Sequence, residues 1–139
     1  FTSLGLVGDD TLDTIFSCEY TKDSDVGTYV ITPTDCTFTS GVKNNYNIEY
    51  VNGTLSVYGS SYNKASKTVK IYSNHDTDVD CYVVSYAENG TLDGIKKEHC
   101  SLKADEISTI DISSLNIAEN DSIKIFLWDN NLTPVEITN

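Results

Sequence analysis

The stretch CYVVSYAENGTLDGIKKEHC, residues 81–100, reads as two strands around one turn. β-branched and aromatic residues lead into Glu88-Asn89-Gly90, and Asn-Gly is the strongest short hairpin signal because both residues tolerate positive φ. A turn there places Tyr86 beside Ile95 and, in the same register, sets Cys81 across from Cys100. Facing residues have Cβ atoms about 4.5–5.5 Å apart, close enough to bridge after a small adjustment. The hairpin fixes the class of the surrounding chain as β.

Working outward, period-two alternation between turn signals recurs every 8–15 residues or so. Strands are expected over residues 68–73, 81–86, 95–102, 107–112, 122–128 and 135–137 downstream, and over 15–21, 28–33, 46–50 and 54–57 upstream. A second Asn-Gly pair, Asn52-Gly53, predicts a hairpin between the last two of these. Residues 59–66, GSSYNKAS, are poor in bulky aliphatics and read as a linker. No segment sustains a helical period. The fold expected is all-β, with two small β-sandwich or Ig-like domains in tandem at residues 1–58 and 67–139, the second large enough for an immunoglobulin-like sandwich.

Charge excludes some partners. The chain has 139 residues, with 9 basic against 21 acidic and a formal charge of −12. It contains no arginine, so the clustered cations that phosphate binding requires are missing and nucleic acid is excluded as a partner. An anionic membrane repels such a surface. No apolar run approaches the roughly 20 residues that span a bilayer, so no membrane insertion is expected. The opening FTSLGLVGDD lacks the basic start of a secretory leader, and the sequence reads as a fragment of a longer protein.

Cys18, Cys36, Cys81 and Cys100 form an even set with three possible connectivities. None lies in a C-x-x-C, which argues against zinc or a thioredoxin-type pair. Spacing suggests Cys18 with Cys36 and Cys81 with Cys100; buried free thiols are the alternative. Bridges would place the chain in an oxidising compartment.

Two resemblances stand on quoted residues. GLVGDDTL (residues 5–12), VGTYVIT (residues 26–32) and NYNIEYVNGTLSV (residues 45–57), in that order, resemble the MBG-type repeat of bacterial surface proteins. In that repeat an opening strand with a Tyr-Gly element comes first, and residues 1–58 are expected to lack it. VVSYAENGTLDGIK (residues 83–96) and IKIFLWDNNLTPV (residues 123–135) resemble the small Ig-like module that ends many clostridial extracellular proteins. Both resemblances imply accessory modules, extracellular or attached to the cell wall, with roles in spacing, adhesion or substrate attachment and with no catalytic residues.

Candidate sites are few. His75 and His99 sit in unrelated contexts, and no G-x-S-x-G occurs. Asp76, Asp78 and Asp80 offer carboxylates at alternate positions, as at the start of a calcium loop. Cys81 and Ala87 then stand where an EF-hand needs Gly and Glu. Calcium is the one cofactor these residues suggest; solvated turn aspartates are the alternative. Aromatic stacking on sugars is the other option, with Tyr58, Tyr62 and Trp128 as candidates. In the run from Ile123 to Trp128, Ile123, Ile125 and Leu127 share one face while Lys124, Phe126 and Trp128 share the other, so one apolar set needs cover. Asn52, Asn89, Asn120 and Asn131 head Asn-x-Ser/Thr triplets, read here as turn chemistry.

The function expected is a non-catalytic spacer or adhesion module of a multidomain surface or secreted protein. Its partners would be glycans, a host or cell-surface protein, and neighbouring domains of the same polypeptide. The alternative is an accessory carbohydrate-binding module.

Overall fold

Pro33 shapes the first sheet. Strand β1 (Thr11–Cys18) runs antiparallel to the 14-residue β2 (Gly27–Ser40). Leu12 faces Phe38 and Thr14 faces Cys36, but Ile15 faces Asp35 while Phe16 faces Pro33. Thr34 is the extra residue of a bulge beside a proline that has no N–H to give the ladder. After the turn at Lys43–Asn45, β3 (Gly53–Val57) adds to the other side of β2, giving the order β1-β2-β3. The computed structural model describes residues 1–137.

Residues 46–50, expected as a strand, are irregular. The Tyr46 hydroxyl donates to Asp10 Oδ2 at 2.5 Å and accepts the Val7 N–H at 3.2 Å, while its ring stacks on Phe38 at 5.0 Å. Tyr46 is thus held as a clamp between the GLVGDD stretch and β2. Neither Asn52 nor Gly53 has positive φ, so the expected hairpin turn is not made and β3 pairs with β2 instead.

Six strands make the second part: β4 (Gly59–Asn63), β5 (Thr68–Tyr72), β6 (Thr77–Tyr86), β7 (Leu92–Leu102), β8 (Ile107–Asp111) and β9 (Ser122–Trp128). They form two three-stranded sheets, β4-β5-β8 and β7-β6-β9. Together they make a sandwich with the first, second and fifth strands in one layer and the third, fourth and sixth in the other, as in immunoglobulin-like folds. Val69 and Ile71 from one layer and Val79, Cys81 and Val83 from the other are at most 1% exposed and belong to one core cluster, with Leu102, Ile110 and Ile112. Each such side chain contributes about 1.5–3 kcal/mol. The all-β architecture expected from the alternation is the one observed.

Residues 59–66 are corrected from linker to hairpin: β4, a turn, and the approach to β5, with Tyr62 facing Val69. Small and polar residues hid a strand whose burial comes from its neighbours. The chain divides into one unit of Phe1–Lys22 and Thr28–Leu55, and a second of Asp23–Gly27 with everything from Ser56. Residues 135–137 are not a strand: Val135 N–H donates to the Leu127 carbonyl at 2.9 Å, and Ile137 is buried. The last two residues of the expected domain 67–139 lie outside the described residues.

All four cysteines are free thiols, which corrects the two expected bridges. Cys36 faces Thr14 and Cys18 faces Ile31, so the two lie four positions apart along the ladder, about 13 Å. A disulfide needs Cα atoms within about 7 Å. In the second hairpin Cys81 faces Glu98 and Cys100 faces Val79, two residues out of the expected register. The turn forms at the expected Glu88-Asn89-Gly90, where Gly90 has positive φ and Ala87 N–H donates to Thr91 O at 2.9 Å. The register differs because Tyr86 then faces Leu92 while Ser85 faces Gly94, leaving Asp93 as the extra residue of a bulge.

Candidate functional site

The aromatic set that needed cover is found on the outer face of the β7-β6-β9 sheet. Val79, Cys81 and Val83 of β6 point into the core, with Ile123, Ile125 and Leu127 of β9 packed against it. Alternation therefore turns Asp80, Tyr82, Val84 and Tyr86 outward, together with Lys124, Phe126 and Trp128. Register completes the rows. Tyr82 lies between Lys97 and Phe126, Asp80 between His99 and Trp128, and Val84 between Ile95 and Lys124.

Three rings form a patch at the centre of this face. Tyr82 and Trp128 have centroids 5.1 Å apart with planes at 49°, and Phe126 and Trp128 are 5.7 Å apart at 45°. All three are half-buried, and Ile95 beside them is 57% exposed. Cations border the rings. Lys97 Nζ stands 5.4 Å from the Tyr82 centroid and Lys124 Nζ 5.4 Å from that of Tyr86. Aromatic rings edged by charged groups can hold a ligand that has one apolar face and polar substituents at its rim.

Asp80 anchors one end. The residue is only 8% exposed, and its carboxylate accepts from Lys97 at 2.6 Å and contacts His99 Nδ1 at 3.0 Å. The Lys97 hydrogen bond, then that of His99, holds its pKa below the usual carboxylate range, and Asp80 in turn raises that of Lys97. A carboxylate–imidazole pair is also what orients a general base. Among the described hydrogen bonds, however, no hydroxyl or thiol reaches His99 to serve as nucleophile.

Of the other candidates only Asp78 shares this face. Tyr58 donates its hydroxyl to Asp105 at 2.7 Å and stacks on buried Tyr72 at 4.8 Å and 9°. Tyr62 packs against the core. Asp76 is bonded to Lys103 Nζ at 2.8 Å and to the Ala104 N–H at 2.9 Å; those bonds, Lys103 first, lower its pKa. Asp78 is exposed and faces Ser101. Lysine partners thus occupy two of the three candidate calcium carboxylates, and among the described residues no group of three or more His, Cys, Asp or Glu is arranged to hold a metal. His75 Nδ1 contacts Asn74 Oδ1 at 2.7 Å and lies away from His99.

Of the three aromatic candidates, only Trp128 belongs to the patch. Phe126 was legible beside it in the β9 alternation. Tyr82 and the two lysines were not, because they join the patch through cross-strand register, which no single strand reveals.

Comparison with known proteins bears on the first unit. Residues 1–56 match the family model of the MBG domain (YGX type). The resemblance read from GLVGDDTL, VGTYVIT and the NYNIEY stretch is thereby supported, and that family suggests a surface-protein repeat module. The Asp10–Tyr46 bond joins the first and third of those MBG-like stretches. No curated protein and no solved structure matches the chain. Among the described residues no helix is long and apolar enough to cross a membrane.

Proposed function

We propose that the chain is a non-catalytic spacer and adhesion module of a multidomain bacterial surface or secreted protein, extracellular or held at the cell wall. The MBG match over residues 1–56 supports that setting. The connectivity supports the mechanical part, and it is the observation that carries the reading. The chain passes between its two units at three points, because Asp23–Gly27, the connection from β1 to β2, belongs to the second unit.

Within that unit the inserted segment is well held. Asp25 Oδ2 accepts from Lys70 Nζ at 2.8 Å and from Asn63 Nδ2 at 3.3 Å, the Val26 N–H donates to Ser61 Oγ at 3.1 Å, and Val26 is 8% exposed. A hairpin whose loop is folded into the neighbouring unit ties the unfolding of one to the other, which suits a module under tension. Calorimetry tests this. One cooperative transition is expected for the whole chain, and Asp25→Ala with Val26→Ser should split it in two. Two transitions in the unaltered chain would refute the mechanical reading.

A second reading, an accessory carbohydrate-binding module, is favoured by the Tyr82, Phe126 and Trp128 patch. Retardation in gels containing soluble polysaccharides tests it, with loss of retardation expected for Trp128→Ala.

A further inference from the structure

We propose that the outer face of the β7-β6-β9 sheet binds glycans whose sugars carry a carboxylate, with Trp128, Phe126 and Tyr82 stacking the rings and Lys124 receiving an acid group. The inference rests on the carbohydrate reading above and adds the ligand's charge to it.

Charge on this face is balanced, Lys97 and Lys124 against Asp78 and Asp80, where the chain as a whole is acidic. The whole sequence carries −12. On this sheet the acidic outward positions of β6, Asp78 and Asp80, lie at one end, and Asp80 is already satisfied by Lys97 and His99. The rows of Tyr82 and Val84 hold the cations: Lys97 beside Tyr82, and Lys124 beside Val84. Among the described residues Lys124 has no ion-pair partner. It is exposed, and its ammonium lies over the Tyr86 ring. A cation held on a ring edge beside a stacking surface is positioned for a carboxylate on the stacked ligand.

Spacing sets the arrangement. Lys97 and Lys124 lie on opposite edge strands and one row apart, so their Cα atoms are about 12 Å from each other with Tyr82 and Val84 between them. An extended acidic chain laid across the patch meets Lys124 at one corner, while Lys97 at the other is held by Asp80. A neutral glycan would use the rings alone. A nucleic acid would offer bases and phosphates, but the remaining acidic surface opposes a polyanion of that charge density.

The test uses the full chain in affinity gels and titration calorimetry. Polygalacturonate is compared with its carboxyl-reduced, neutral counterpart, and sialylated mucin with the same mucin after desialylation, so that plant and host sources are separated. Binding to one or both acidic probes is expected, weakened by added salt and weakened about tenfold by Lys124→Gln. Lys124 is exposed, so its variant should fold normally; Trp128→Ala is run beside it with a melting curve as the folding control. Equal binding to acidic and neutral forms, or an unaffected Lys124→Gln, overturns the acidic specificity while leaving the carbohydrate reading in place. Binding to none of the four probes, nor to neutral plant glucans, overturns both.

Discussion

At the residue scale, the thiols are the clearest case of a local environment that spacing could not disclose. Cys81 is fully buried in the sandwich core, and burial, with Cys100 and Glu98 nearby, pushes its thiol up to about 12. At pH 8 roughly one molecule in ten thousand carries the thiolate that reacts. Burial also raises Cys100, whereas Cys18 is exposed. Denatured, unreduced protein should therefore titrate with four thiols, and native protein should modify Cys18 first and Cys81 last. Two or fewer thiols in the denatured sample would contradict the free-cysteine state. Because the cysteines are free, they no longer argue for an oxidising compartment, and the proposed surface location is supported by the MBG match alone.

At the scale of elements, the β6–β7 hairpin shows how a turn and the bulge beside it set a whole face. Gly90 has φ 81°, and a Cβ built there meets nothing within 4 Å. Gly90→Ala should therefore cost about 1–2 kcal/mol through backbone strain alone, read as a lower denaturant midpoint with an unchanged slope. The loop together with the bulge at Asp93 offsets Cys81 from Cys100 and aligns Tyr82 with Lys97. Another element-level prediction concerns Ile71 of β5, which is fully buried: Ile71→Ala should cost about 2–5 kcal/mol by the same measurement. The inserted segment Asp23–Gly27 belongs here too, since its anchor is an ion pair. The Lys70 hydrogen bond lowers the Asp25 pKa despite partial burial. A lowered carboxylate pKa stabilises the folded state above the unfolded value near 3.9, and that stability is lost as pH falls through the folded value. Asp76, Asp80, Asp111 and Asp129 are shifted in the same direction. The melting temperature should hold near neutrality and fall below about pH 4, with a shallower fall in Asp25→Asn.

At the scale of the whole molecule, the two units differ in how they are stabilised. The second closes a core between two sheets, whereas the first is one three-stranded sheet in which Ile15, Phe16 and Val30 remain 65%, 45% and 56% exposed. That contrast gives the three-point connection its value, because a thin sheet gains most from being tied to a unit with a core. The sequence alone determined the all-β class, the resemblance of residues 1–58 to the MBG repeat and the two-sided pattern of β9, since each is written in alternation or in ordered local motifs. It could not show β4, whose Gly, Ser and Asn residues become a strand only when β5 lies beside them. Nor could it set the register that parts Cys81 from Cys100 and gathers Tyr82, Phe126, Trp128, Lys97 and Lys124 on one surface. Tertiary structure decided those points because cross-strand neighbours depend on turn geometry, and shifting a strand by two residues keeps every side chain on its face while changing every partner.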